Sequence, residues 1–283
     1  MASRRFVWVE DAGVSELASN LELWRTFLLE GAIVRLGGTI FTHNCLTLDY
    51  CLDLALRSLL DVCDEVVCID AESTDGTLEY LSDMGVKDRR LTVGLAKWKP
   101  IPDGKGQWLS DLGNTALSLM RSPYHIALQA DEVLHEVDYG KIRECANRGG
   151  QYLVHRLNFW KDSRHIVPPG KVCGHNICRM GPKTSKFIGD AENIDLNAQP
   201  VGQSSVRIFH YGFIRKAEAQ IIKGIKMESE FLGTYNPIYN RMKETGSRES
   251  YDNAKEITGD LIEFRGTHPA KAREWLRERV GQP

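Results

Sequence analysis

Three apolar runs of this chain end on side chains able to hold a cation or move a proton. Val66–Ile69 ends on Asp70, followed by Ser73, Thr74, Asp75 and Gly76. The run from Tyr124 to Leu128 delivers Gln129, Ala130, Asp131 and Glu132. Arg207-Ile208-Phe209 delivers His210, then Tyr211-Gly212-Phe213. Carboxylate oxygens suit hard divalent cations, and an imidazole can join them as a ligand. A further pair of carboxylates, Asp190 and Glu192, lies shortly before the His210 run.

The elements that position these groups can be read from periodicity. Val66–Ile69 is long enough for a buried strand and too short for a helix. The polar residues after it are turn and helix N-cap types, and apolar residues resume at Leu78 and Leu81 with helical spacing. A strand, polar loop and helix in that order put the loop at the carboxyl edge of a parallel sheet, where open α/β folds bind ligands. Thr39–Thr42 reads as the first strand, with His43-Asn44 as its exit. Asp49 to Leu60 reads as a helix burying Leu52, Leu56, Leu59 and Leu60, which completes a right-handed βαβ unit with the Asp70 strand. Leu91–Val93 is a third strand, and Trp108 to Met120 is a helix carrying Asp111 and Asn114. The intervening loop from Ala96 to Lys105 is basic and irregular.

The Asp64–Thr77 segment resembles the "DEIVVVDxxSTDGT" stretch of glycosyltransferase family 2, whose members have the GT-A nucleotide-sugar fold. Gln129-Ala130-Asp131-Glu132 resembles that family's "LDADE" metal motif, with Gln129 in place of the first Asp. His210-Tyr211-Gly212-Phe213 is similar to the "HYGY" segment of the same group. The resemblance covers residues 38 to 135 well and 205 to 270 loosely. It implies an α/β fold with a mostly parallel, Rossmann-like central sheet flanked by helices. It also implies a UDP-linked sugar donor, transfer with inversion to a glycan or glycolipid hydroxyl, and a divalent cation, Mn²⁺ or Mg²⁺. The donor-binding residues it implies are Thr42, His43, Asn44, Asp70, Ser73, Asp75, Asn114, Gln129, Ala130 and Asp131. Asp131 and His210 are the implied metal ligands, and Gln129 lowers the negative charge of that site. Asp190 is the first choice for catalytic base and Glu192 the second. Substituting Asp131 by Ala is expected to abolish transfer and leave the fold intact.

Residues 141 to 189 hold ten Lys or Arg and only two acids, Glu144 and Asp162, in a chain whose net charge is −2. Tyr152, Phe159 and Trp160 are interleaved. Such a field would suit an anionic acceptor, a lipid diphosphate, an acidic glycan or nucleic acid, or it could be a basic face balanced by acids elsewhere. One alternative is therefore a glycosyltransferase acting on hydroxymethylated bases in DNA. Another is a non-catalytic nucleotide-sugar-binding module, which Gln129 makes conceivable. Cys173-Gly-His175-Asn-Ile-Cys178 lacks the second pair a zinc site needs and reads as a buried β segment. Phe264 to Pro269 resembles a "GxHP" segment, without a role for His268.

The remaining features set limits. A chain of 283 residues can bury a sizeable core, and 42% apolar with 26% charged residues is ordinary for a globular protein. Seven cysteines, mostly inside apolar runs, suggest free thiols in a reducing compartment, and the expected location is cytoplasmic. No signal peptide or integral membrane segment is evident. The expected organisation is a helical appendage at 1–36, with Leu17, Leu21, Trp24 and Leu28 as its apolar stripe. A nucleotide-sugar and acceptor domain follows at 37–214, and a helical C-terminal region at 215–283.

Overall fold

A computed structural model describes residues 7–8, 33–100, 106–171, 173–196, 201–226 and 237–280. The apolar stripe expected within residues 1–36 lies outside them. Strand β1 (Val7–Trp8) is described and pairs in parallel with a strand of the central sheet.

The chain then lays down β2 (Leu36–Thr42), α1 (Leu52–Val62), β3 (Glu65–Ala71), α2 (Thr77–Lys87), β4 (Leu91–Ala96), α3 (Gln107–Leu119) and β5 (Tyr124–Ala127). Strands β2, β3, β4 and β5 are mutually parallel, in the spatial order β4-β3-β2-β5. Beyond β5 come β6 (Glu132–Leu134), α4 (Tyr139–Arg148), β7 (Gln151–Trp160), β8 (His165–Ile166), β9 (Asn176–Pro182), β10 (Phe187–Ile188), β11 (Asn193–Ile194) and β12 (Val201–Phe213). The full order β1-β4-β3-β2-β5-β9-β7-β12-β6 joins β9 and β6 antiparallel to their neighbours, while β7 and β12 are parallel. This is the expected α/β architecture, a mostly parallel central sheet flanked by helices.

The buried pattern explains the strands. Every residue of β3 is buried, as befits a central strand covered on both faces. Helix α1 turns Leu52, Leu56, Leu59 and Leu60 onto one face of the sheet, and α3 covers the other with Trp108, Leu112 and Ala116. Helix α1 begins three residues later than its apolar spacing predicts. Asp49 has φ +50° and spends its carboxylate on the Lys216 N–H (2.9 Å) and on Arg279 (2.5 Å), so the helix cannot start there.

The C-terminal region contributes α5 (Ala217–Lys226), α6 (Pro237–Thr245), α7 (Glu249–Asp252), α8 (Lys255–Thr258), β13 (Ile262–Glu263) and α9 (Ala272–Val280). Ala272 and Leu276 pack with Val133, Phe159 and Phe209, and Ile238, Met242 and Tyr251 pack with Trp160 and Phe213. His268 is buried here: its Nε2–H donates to the Ser163 carbonyl (2.8 Å) and its Nδ1 accepts from the Tyr211 hydroxyl (2.8 Å). It fastens the C-terminal segment to the sheet. Among the described residues no helix is long and apolar enough to cross a membrane.

One core residue works against stability. His125 on β5 is fully buried, and neither ring nitrogen has a hydrogen-bond partner among the described residues. Burial alone pushes its pKa down to about 3. Below the unfolded value of about 6.5 the unfolded chain therefore binds a proton that the folded chain does not. Stability should fall as pH drops from there toward 3, by up to about 1.4 kcal/mol per pH unit from this group. Urea unfolding of His125→Leu at neutral pH and at mildly acid pH should show a shallower loss than the native protein. Identical pH slopes would remove His125 from this account.

Candidate active site

The site forms where β2, β3 and β5 end. In the β2–β3 register Thr42 lies opposite Asp70. The Thr42 hydroxyl donates to Asp70 Oδ1 (2.9 Å), the Ser73 hydroxyl donates to the same oxygen (2.6 Å), and the Ser73 N–H donates to Oδ2 (3.0 Å). Asp70 is fully buried, and these bonds fold the loop back onto the strand end. Asn44, at φ +49°, accepts the Thr74 N–H (2.8 Å), and Asp75 accepts the Thr47 and Thr77 N–H groups (2.7 and 3.1 Å). Burial raises the Asp75 carboxyl, but these hydrogen bonds hold it below the usual range.

That loop fixes His43. The ring donates from Nδ1 to the Ala71 carbonyl (2.6 Å), so Nε2 accepts from the Asn44 amide (3.0 Å). Its face is stacked on Trp98, with ring centroids 4.1 Å apart and planes 2° from parallel. Trp98 in turn meets the edge of Trp108 on α3. The basic loop after β4 thus places an aromatic face against His43, a pairing with no periodicity in the sequence to announce it.

Asp131 follows β5 by four residues and immediately precedes β6. Because β6 pairs with β12, His210 lies opposite Glu132, and the Tyr211 N–H donates to the Asp131 carbonyl (2.8 Å). The same register sets His210 beside Asn158 of β7. His210 Nδ1–H donates to Asn158 Oδ1 (2.8 Å), and the Asn158 amide reaches the Gly174 carbonyl (3.5 Å). The other ring nitrogen, Nε2, is left facing Asp131 Oδ2 at 3.6 Å. With Nδ1 donating to Asn158, Nε2 turns its lone pair toward that carboxylate.

Three further groups surround Asp131. Arg215, fully buried, donates Nη2 to Asp131 Oδ2 (2.7 Å), with its other donors on the Gly212 carbonyl (2.7 Å) and the Leu48 carbonyl (2.5 Å). Its guanidinium lies 4.0 Å from the centre of the Tyr50 ring. Lys223 of α5 brings Nζ to 3.6 Å from the same carboxylate oxygen. Burial would raise the Asp131 carboxyl, but His210, Lys223 and Arg215 hold it well below the ordinary range. Gly212 makes the cluster possible. A Cβ there would stand 2.6 Å from Asp131 Oδ2 and closer still to His210 Nε2.

Two described side chains, Asp131 and His210, are near enough to share a divalent ion, and Arg215 already holds the Asp131 oxygen that faces the ring (2.7 Å). One carboxylate and one imidazole converge with a tautomer-fixing amide behind the ring, and Gly212 keeps the gap clear. Among the described residues no group of three or more His, Cys, Asp or Glu is placed to hold a metal ion. Phosphate oxygens and water would have to complete the coordination, as they often do for Mg²⁺.

Asp190 and Glu192 face the same space but differ in their bonds. Glu192 is paired with Arg156 (2.5 Å), which also reaches Glu132 (3.2 Å), and Glu132 accepts Arg179 (3.3 Å) and the Gln129 N–H (2.7 Å). Although burial raises it, Arg156 holds the Glu192 carboxyl below its usual value. Asp190 accepts only the Glu192 N–H (3.1 Å) among its described hydrogen bonds, and burial, helped by Glu192, raises its carboxyl. Gly106 at the start of α3 allows this loop to approach, since a Cβ there would lie 2.6 Å from the Asp190 Cβ.

These groups line one cavity of about 460 Å³. Of the residues expected from sequence, His43, Gln129, Ala130, Asp131, Asp190, Glu192 and His210 are on its wall. Thr42, Asn44, Asp70, Ser73, Asp75 and Asn114 are not. The first five build the loop behind His43, and Asn114 clamps α3 to β10 by exchanging hydrogen bonds with Phe187 N and O (2.8 and 3.1 Å). Sequence reasoning missed Tyr50, Trp98, Trp160 and Arg215 as wall or supporting residues. Arg215 had a weak signal, an arginine directly after the apolar Phe213-Ile214 that ends the His210 run. Cys173 also lines the cavity, while His175 donates to the Val167 carbonyl (2.8 Å) and Cys178 is a buried strand residue.

Half of the basic segment is paired. Lys141 pairs with Asp138, Arg143 with Asp64, Arg148 with Glu144, and Arg156 and Arg179 with Glu132. Half of its ten cations are thus bound to acids.

No family model matches the sequence, and no curated relative matches it. Among solved structures, S. aureus TarS residues 1–349 superposes with a TM-score of 0.42 at 12% identity, covering 80% of this chain and 75% of that one. The TarS 1–349 complex with UDP-GlcNAc gives 0.43 at 13% identity, covering 80% and 76%. Against a further TarS structure the TM-score is 0.39 at 13% identity, and the match spans 46% of that chain. Likeness at this level does not identify this chain's activity.

Proposed function

We propose that this protein is a glycosyltransferase that moves a sugar from a nucleoside diphosphate donor, UDP-linked by the sequence resemblance, to an acceptor hydroxyl with inversion. The observation that carries the reading is the convergence of Asp131, His210 and Gln129 with Asp190 on one cavity. The Asp70 loop supports it, because it holds an aromatic shelf, His43 on Trp98, beside that cavity.

In this reading the nucleoside lies against the His43 side, with Asp70, Thr42, Asn44, Ser73 and Asp75 shaping the loop behind it. Gln129 offers hydrogen bonds without charge. Asp131 and His210 would hold Mn²⁺ or Mg²⁺, which supplies positive charge to the diphosphate as it leaves. Asp190 takes the proton from the acceptor hydroxyl. Its raised pKa and few hydrogen bonds suit a base better than the Arg156-bound Glu192. The acceptor reading stays with a glycan or glycolipid hydroxyl.

The test is a comparison of two conservative variants in a transfer assay with UDP-sugars and Mn²⁺. Asp190→Asn should lose about 10²-fold or more in kcat with little change in KM for donor. Glu192→Gln should lose less activity and more thermal stability, because Arg156 is left buried without that partner. Full activity in Asp190→Asn would remove it as base.

A further inference from the structure

We propose that Lys223 is the protein's own diphosphate-binding cation, held in reserve on Asp131 and handed to the phosphates when a ligand enters. The inference rests on the reading of the cavity as a donor site and names the residue that grips its anionic centre.

The argument starts from how Asp131 is already satisfied. Arg215 makes the close contact, 2.7 Å to Oδ2, and its remaining described bonds go to the Gly212 and Leu48 carbonyls. That guanidinium is a fixed part of the wall. Lys223 stands 3.6 Å from the same oxygen, beyond hydrogen-bond length, and its side chain keeps 20% of its surface exposed while Arg215 keeps 1%. Its ammonium also lies 5.3 Å from the centre of the Tyr50 ring, an aromatic face that favours a cation without fixing its direction. A lysine is a mobile point charge on a flexible stem, suited to moving a short distance toward a phosphate.

The ion pairs point the same way. Glu132 and Glu192 are engaged by Arg156 and Arg179, and Arg215 balances Asp131. With Asp190 included, the described carboxylates around the cavity equal the cations Arg156, Arg179, Arg215 and Lys223, and of these cations Lys223 stands farthest from its carboxylate, at 3.6 Å, on a wall that Lys226 shares. A second observation comes from the same helix. Gln220, one turn before Lys223 on α5, lines the cavity and is buried with no partner for Oε1 among the described residues. Residues three apart share a helix face, so Gln220 and Lys223 present one face to the cavity. The buried acceptor suits a ligand hydroxyl beside the phosphates.

The probe is inorganic pyrophosphate, titrated calorimetrically into the full chain in EDTA, with native protein, Lys223→Met and Lys223→Arg. The native protein should bind without added metal, Lys223→Met should bind about tenfold or more weakly, and Lys223→Arg should keep most of the affinity. Equal binding by native protein and Lys223→Met would overturn the proposal, as would no pyrophosphate binding by the native protein in EDTA. If Lys223→Met does not fold, Lys223→Gln makes the same comparison. The donor reading fails by a different result: UDP, GDP and dTDP bind no better than pyrophosphate while the Lys223 dependence persists.

Discussion

Asp131→Ala is expected to abolish sugar transfer and to destabilise the protein by about 3–5 kcal/mol, because it strands a buried guanidinium. From the sequence alone this substitution was expected to leave the fold intact. The Arg215 contact changes that expectation, since both side chains are almost wholly shielded from water. Asp131→Asn separates the two roles. The amide oxygen can still accept the Arg215 hydrogen bond, so most of the stability should return. The negative charge does not return, and transfer should stay down by about 10²-fold or more. Urea unfolding and a donor-turnover assay on the two variants check this. An Asn variant with native turnover would mean that the charge of Asp131 serves the fold alone.

Gly212→Ala should give the second large effect from the addition of one methyl group. The new Cβ would fall 2.6 Å from Asp131 Oδ2 and closer to His210 Nε2. Neither neighbour can retreat cheaply, because Arg215 holds the carboxylate and Asn158 holds the ring. The pair must separate, at a cost of about 1–3 kcal/mol in stability. Turnover should fall about 10²-fold, as misplacement of a reacting centre by an ångström does. Thermal melting and the same turnover assay measure both. A variant with native turnover would show that the 3.6 Å approach of Asp131 and His210 has no part in the reaction.

The parallel half of the sheet was legible because its strands are short apolar runs closed by turn residues, and Val66–Ile69 is the clearest. Asp131 and His210 were legible as pairable groups because each ends such a run. Their meeting was expected from the family resemblance and not from periodicity, because it depends on β6 pairing antiparallel to β12 with Glu132 opposite His210, and three-residue strands carry little periodic signal. Asp70 shows the opposite case. Its type and place suggested a side chain facing a ligand, and the register with Thr42 instead turns its oxygens into the loop. Tyr50, Trp98 and Trp160 reach the cavity from a turn, a basic loop and a strand end, so no spacing rule connects them. Arg156 and Arg179 read as part of a basic surface. The fold buries both on Glu132, a partner that only tertiary structure supplies.

The most direct test of the central claim is a calorimetric titration of UDP, GDP and dTDP into the native protein with Mn²⁺. One of the three should bind with a Kd of about 1–100 μM, that is, roughly 5–8 kcal/mol. The Asp131→Asn variant should lose the part of that affinity that Mn²⁺ adds. Folded protein that binds none of the three nucleotides would contradict the reading of this cavity as a nucleotide-sugar site.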